Sequence, residues 1–77
     1  MDSFYTKLQE TPGIIVQGNC DSFIVKPSPN VRLKEFQKTV IWIKSNATPY
    51  YEVASEHTNS MGGLRQIDTI RLRKISA

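Results

Sequence analysis

Residues 39–44 read Thr39-Val40-Ile41-Trp42-Ile43-Lys44, and the structure given to these six decides the fold. Four are β-branched and a fifth is tryptophan, the types enriched on a pleated, half-buried surface, so the stretch reads as a strand. Ser45-Asn46-Ala47-Thr48-Pro49 follows as a loop of small polar residues. Its Asn-Ala-Thr is formally a glycosylation sequon, but with Pro49 behind it the segment reads as a turn. Residues 50–57, YYEVASEH, read as a second strand, because the apolar positions alternate and Thr58-Asn59-Ser60 are poor helix formers. Residues 58–63 form a turn in which Gly62-Gly63 tolerates positive φ, and residues 64–75 read as the last strand. Residues 39–75 thus read as a three-stranded meander.

A register with Lys44 opposite Tyr50 and His57 opposite Leu64 sorts this meander into two faces. Ile41, Ile43, Tyr51, Val53, Leu64, Ile70 and Leu72 share a core face. Lys38, Val40, Trp42, Lys44, Tyr50, Glu52, Ala54, Glu56, Arg65, Ile67, Arg71 and Arg73 share the other. Glu56 then lies between Lys38 and Arg65, and Glu52 between Trp42 and Thr69, so an acidic strand separates two basic ones and like charges stay apart. Gln66 and Asp68 fall on the core side, which calls for a bulge in the last strand or a frayed end at the Gly-Gly turn.

Upstream, residues 2–10 read as a short helix capped by Asp2 or Ser3, with Phe4, Tyr5 and Leu8 on one stripe and Thr11-Pro12-Gly13 ending it. Ile14-Ile15-Val16 and Phe23-Ile24-Val25 flank Gly18-Asn19-Cys20-Asp21, a hairpin over residues 13–26. Both runs are apolar on consecutive residues, so cover is expected on both faces. Lys26-Pro27-Ser28-Pro29-Asn30 breaks the chain. Ser28-Pro29 followed by Leu33 and Phe36 leaves two readings of residues 29–37, a turn or two of helix or an extended segment. The fold expected is mainly β: one small domain over residues 1–77, an antiparallel sheet of about five strands closed as a barrel or sandwich, with a short N-terminal helix. The alternative is an α+β fold with a second short helix near 29–37.

The chain has 77 residues, 39% of them hydrophobic, so it holds one core and is too apolar to stay disordered. No apolar run approaches the length of a membrane span or a signal-peptide core, so a cytoplasmic protein, or one within a virion assembled there, is expected, not one secreted by a signal peptide. One cysteine, Cys20, cannot make an intrachain disulfide, and Cys20 with His57 falls short of a four-ligand zinc site. Cys20 is also an unpromising nucleophile, since neighbouring Asp21 disfavours the thiolate. No phosphate-loop, dinucleotide or zinc-protease motif is present. The reading is therefore a non-enzyme without metal, cofactor or small-molecule substrate.

The net charge of +3 and pI of about 9.3 leave two partner classes open. On the strand register, Trp42, Lys44, Tyr50, Arg65, Arg71 and Arg73 make an aromatic and basic patch. Trp, Tyr and Arg dominate protein interfaces, and rings among cations also suit single-stranded nucleic acid. A core this small, with no disulfide or metal, is marginal and gains from a partner or from oligomerisation. The expected function is a small interaction protein that binds a protein or self-assembles, of the virion-assembly or phage-inhibitor type. The alternative is a small nucleic-acid-binding module.

Overall fold

The computed structural model describes residues 3–48, 50–61 and 63–75, less the side chains of Ser3, Met61 and Leu64. Asp2 and the Ser3 side chain, the two cap candidates, lie outside the described residues, as do Gly62 and the Leu64 side chain. The elements in order are α1 (Ser3–Glu10), β1 (Ile14–Asn19), β2 (Ser22–Pro27), α2 (Leu33–Asn46), β3 (Tyr51–Met61) and β4 (Leu64–Lys74). The four strands form one open antiparallel sheet in the order β1-β2-β4-β3. The antiparallel, mainly-β or α+β character agrees with the sequence. Among the described residues the strands number four rather than about five, and they form an open sheet rather than a barrel or sandwich.

The difference comes from residues 39–44. They are not a strand but the second half of the 14-residue helix α2. Phe36, Val40, Ile43 and Ala47 recur at the helical spacing and are all buried. The short helix considered for 29–37 therefore begins later, after a turn closed by Val31 N–H donating to the Ser28 carbonyl, and runs nine residues further. The meander becomes a hairpin: β2 pairs with β4 on its far side, and no strand takes the place beside β3 that residues 39–44 were expected to fill. The acidic strand β3 is consequently an edge and not the middle of the sheet.

The β1–β2 hairpin forms as its turn chemistry dictates. Asn19 Oδ1 accepts the Asp21 and Ser22 N–H groups at 2.9 and 3.1 Å, closing a tight turn over Cys20-Asp21. Gly18 sits at φ +126°, and a Cβ there would lie 2.5 Å from the Ser22 carbonyl oxygen, so glycine is required. The turn is tied down from outside by the Tyr51 hydroxyl, which donates to the Cys20 carbonyl at 2.8 Å, and by the Lys74 N–H, which donates to the Asp21 carbonyl.

The observed β3–β4 register pairs Met61 with Leu64 and His57 with Thr69. Glu52 faces Arg73 and Glu56 faces Ile70, so the expected cross-strand neighbours of both acids are replaced. Two irregularities interrupt the ladder. Between Val53 and Ser55 the extra residue is Ala54 on β3; between His57 and Thr58 it is Asp68 on β4. The second is the bulge in the last strand that the misplaced Asp68 called for. β4 pairs with β2 only over residues 70–73, and beyond the bulge the ends of β3 and β4 continue as a two-stranded ribbon. The molecule measures 41 × 21 × 20 Å.

Both helices lie on one face. That face buries Phe23 and Val25 of β2, Ile70 and Leu72 of β4, and Tyr51 of β3 under Phe4 and Leu8 of α1 and the α2 stripe. An aromatic chain runs through it: Trp42 stacks on Phe4 with centroids 5.6 Å apart, Phe4 meets Tyr51 at 5.3 Å, and Phe23 meets Tyr51 edge-on at 5.4 Å. The Gln37 amide bonds both backbone groups of Ile67, donating to its carbonyl at 2.8 Å and accepting its N–H at 3.0 Å, which pins α2 to β4 beside the bulge. Ile43, Tyr51, Ile70 and Leu72 of the expected core face are buried. Ile41 is 66% exposed, because on a helix it lies away from the stripe, and Val53, on the edge strand, is partly exposed.

Tyr51 and Ile41 were equivalent core residues on the strand reading and differ sharply here. Tyr51→Ala removes a ring that is 1% exposed, at about 3–5 kcal/mol, as much as a domain this size holds. Ile41→Ala is expected to change stability by under about 0.5 kcal/mol. Thermal melts of the two variants check this: Tyr51→Ala is unfolded at room temperature and Ile41→Ala melts like the parent. Equal loss at both positions would contradict the helix.

Candidate functional site

One layer of helices leaves the opposite face of the sheet uncovered. By strand alternation that face carries Ile15 and Gln17 of β1, Ile24 and Lys26 of β2, Arg71 and Arg73 of β4, and Glu52, Ser55 and His57 of β3. Ile15 on the edge strand β1 and Ile24 on the inner strand β2 are diagonal neighbours, since Ile15 faces Lys26 and Gln17 faces Ile24. Both remain only half-buried. Arg71 faces Ile24 and borders a shallow depression of about 280 Å³ with Gln17 and Ser22. Arg73 is held by Glu52: its Nε donates to Oε1 at 2.9 Å and its Nη2 reaches the same oxygen. Among the described residues, Lys26 and Arg71 have no carboxylate partner, so their charge is available.

His57 lies toward the β3 edge, with Nδ1 2.7 Å from Asp68 Oδ1. The bulge at Asp68 makes this contact by taking the acid out of the strand's alternation. A carboxylate-oriented imidazole is two parts of a nucleophile-activating set. Among the described residues no hydroxyl or thiol is bonded to the ring, which is 73% exposed. The Cys20 turn lies at the Tyr51–Lys74 end of the sheet, several ladder steps away. No three His, Cys, Asp or Glu side chains among the described residues group as metal ligands, and no helix is long and apolar enough to cross a membrane.

The six residues expected to share a patch are dispersed. Arg71 and Arg73 do lie together on the bare face. Trp42 lies in the helix layer on the other side of the sheet, against Phe4. Lys44, near the end of α2, reaches Glu56 of β3 at 2.7 Å. Tyr50 precedes β3, 66% exposed, with its carbonyl accepting the Ile75 N–H. Arg65 sits on the ribbon opposite Ser60. The expected proximity of Trp42, Tyr50 and Arg71 followed from treating residues 39–44 as a strand, and it goes with it. Sequence reading missed Ile15, Ile24 and Lys26, because two consecutive apolar runs were taken as covered on both faces. The available signal was alternation with Gln17 in β1 and with Ser22 and Lys26 in β2.

A second concavity lies between the helices. Leu8, Thr11, Thr39 and Trp42 line a cleft of about 330 Å³, with Lys7 and Lys38 also in its wall. Lys7 Nζ stands 6.0 Å from the indole centroid. No family model matches the chain, and neither does any curated protein or solved structure.

Trp42 thus covers another part of the fold. Trp42→Ala is expected to cost about 1–3 kcal/mol, less than a fully buried ring, and to lower the melting temperature by at least about 5 °C. Arg71→Ala is expected to leave it within about 3 °C. Differential scanning calorimetry on both variants checks the assignment; a Trp42→Ala protein that melts like the parent would put the indole outside the packed layer.

Proposed function

We propose that this chain is a small non-catalytic interaction protein that binds another protein, or a second copy of itself, on the helix-free face of its sheet. The observation that carries the reading is the pair Ile24, on the inner strand β2, and Ile15, beside it on the edge strand β1, both half-exposed on that face and framed by Gln17, Lys26 and Arg71. An apolar centre with a polar, arginine-bearing rim is the anatomy of a protein interface. A purely solvated antiparallel face would alternate to polar residues throughout. The 11-residue edge strand β3 adds unpaired backbone groups beside the same face. Virion-assembly parts and phage-encoded inhibitors of host proteins are both interaction proteins of this size, and we propose one of these settings.

The nucleic-acid reading is weaker on this geometry. Phe23 and Tyr51, the aromatic residues of the strands apart from His57, both face the core, and Trp42 belongs to the helix layer on the other side of the sheet. No ring of the described strands stands on the bare face for bases to stack on. Lys26 and Arg71 supply charge without a platform.

Ile24→Asp tests the proposal. The variant is expected to keep the parental circular dichroism spectrum, because Ile24 is outside the core, and to lose partner capture or self-association. Binding by the parent is expected to change less than about threefold between 50 and 200 mM salt. A fall of about 10³ over that range, with an oligonucleotide as the bound species, would replace the protein partner with nucleic acid.

A further inference from the structure

We propose a second binding site, the cleft between α1 and α2, for a short acidic peptide segment that carries an apolar or aromatic side chain. The site lies on the opposite side of the molecule from the bare sheet face and does not depend on it.

The floor of the cleft is apolar: the half-buried Trp42 indole supplies the contact surface, with the buried Leu8 beneath it. One side of that ring is already backed by Phe4, stacked within 5° of parallel, so the indole is held in place before anything binds. Lys7 stands over the ring and Lys38 borders the cleft from α2; both are exposed, and among the described residues no carboxylate lines the cleft. The volume of about 330 Å³ suits one large side chain. Past Lys38 and Thr39 the cleft opens into a shallow trough of about 660 Å³ bordered by Ile14, Val31, Arg32 and Glu35. Arg32 adds a third cation. Glu35, the one acid among the described residues of the trough, forms an exposed ion pair with Lys38, Oε2 3.6 Å from Nζ, which is weak in solvent.

An apolar pocket that continues into an open trough fits an extended chain better than a compact ligand. Cations outnumber acids three to one along it, which selects an acidic chain. A peptide side chain seated on Trp42 takes the place of Lys7 over the ring and leaves that ammonium free to meet a carboxylate of the same peptide. A nucleic-acid strand would find one aromatic ring here, already stacked, and no second ring to continue a base stack.

Trp42 is the only tryptophan of the chain, so its fluorescence reports the cleft directly. The probe is an acetylated, amidated heptapeptide of Asp and Glu around a central Phe, titrated into the full chain. A saturable change in Trp42 emission is expected. The same peptide with Lys in place of each acid is expected to give none. The Lys7→Glu/Lys38→Glu variant changes two exposed side chains, keeps the parental melting temperature within a few degrees, and is expected to bind at least about tenfold more weakly. The Ile24→Asp variant is expected to bind the peptide as the parent does, which separates this site from the sheet-face reading. The proposal is overturned by any of three results: no emission change with the acidic peptide up to millimolar concentration, equal response to the basic peptide, or parental affinity in the double-reversal variant. A thymidine decamer that saturates the signal more tightly than the peptide would assign the cleft to nucleic acid instead.

Discussion

The seating of α2 on β2 and β4 is the contact on which the rest of the structure depends. Thr39, Val40, Ile41, Trp42 and Ile43 are mediocre helix formers, and relative to alanine they cost the helix about 2–3 kcal/mol together. A helix of this length is marginal alone. Burying Phe36, Val40 and Ile43 against Val25, Ile70 and Leu72 contributes roughly 5–9 kcal/mol in return, which decides the matter. Gln37 then fixes the helix along β4 by taking both backbone groups of Ile67, next to the bulge where the β3–β4 ladder is broken. Ala47 hands the chain on, since its carbonyl accepts the N–H groups of both Tyr50 and Tyr51, and Tyr51 turns back into the core at once.

Where local preference and tertiary packing agree, the sequence was readable. The hairpin follows from Gly18 and Asn19, the N-terminal helix from Phe4 and Leu8, β4 from alternation, and β3 from alternation as far as His57; residues 58–61, read as part of the turn at Gly62-Gly63, instead prolong β3 against β4. An irregularity near the end of the sheet was legible in Gln66 and Asp68, polar residues on the core side of a strand, but a bulge and a frayed end explained them equally well, and the structure has the bulge at Asp68. Residues 39–44 misled because a six-residue window of β-branched types was weighed by propensity. The stripe Leu33, Phe36, Val40, Ile43 and Ala47 crosses that window at helical spacing, and no glycine or proline interrupts residues 31–48. A strand puts Ile41 and Ile43 on one face; the helix buries Ile43 completely and leaves Ile41 in solvent.

The candidate site divides along the same line. Arg71 and Arg73 were placed together correctly because their relation depends only on the period of one strand. Trp42 was misplaced because the face it occupies depends on which element it belongs to. Its transfer to the helix layer removes the aromatic platform from the sheet and leaves Ile15 and Ile24, at the β1–β2 side, as the apolar part of that face. The same transfer gives the α1–α2 cleft its floor. Two surfaces of different chemistry therefore lie on opposite sides of one thin sheet, apolar and mildly basic on one side, aromatic and rimmed by lysines on the other. A ligand on either leaves the other accessible.

The conformation of residues 39–44 tests this account most directly. Backbone assignment by nuclear magnetic resonance reads it without a partner or a mutation. The account predicts Cα shifts displaced downfield through residues 33–46, sequential amide–amide contacts along that stretch, and a contact between the Gln37 side-chain amide and the Ile67 amide. Cα shifts displaced upfield over residues 39–44, with cross-strand contacts from these residues to residues 51–57, would contradict it and restore the three-stranded meander.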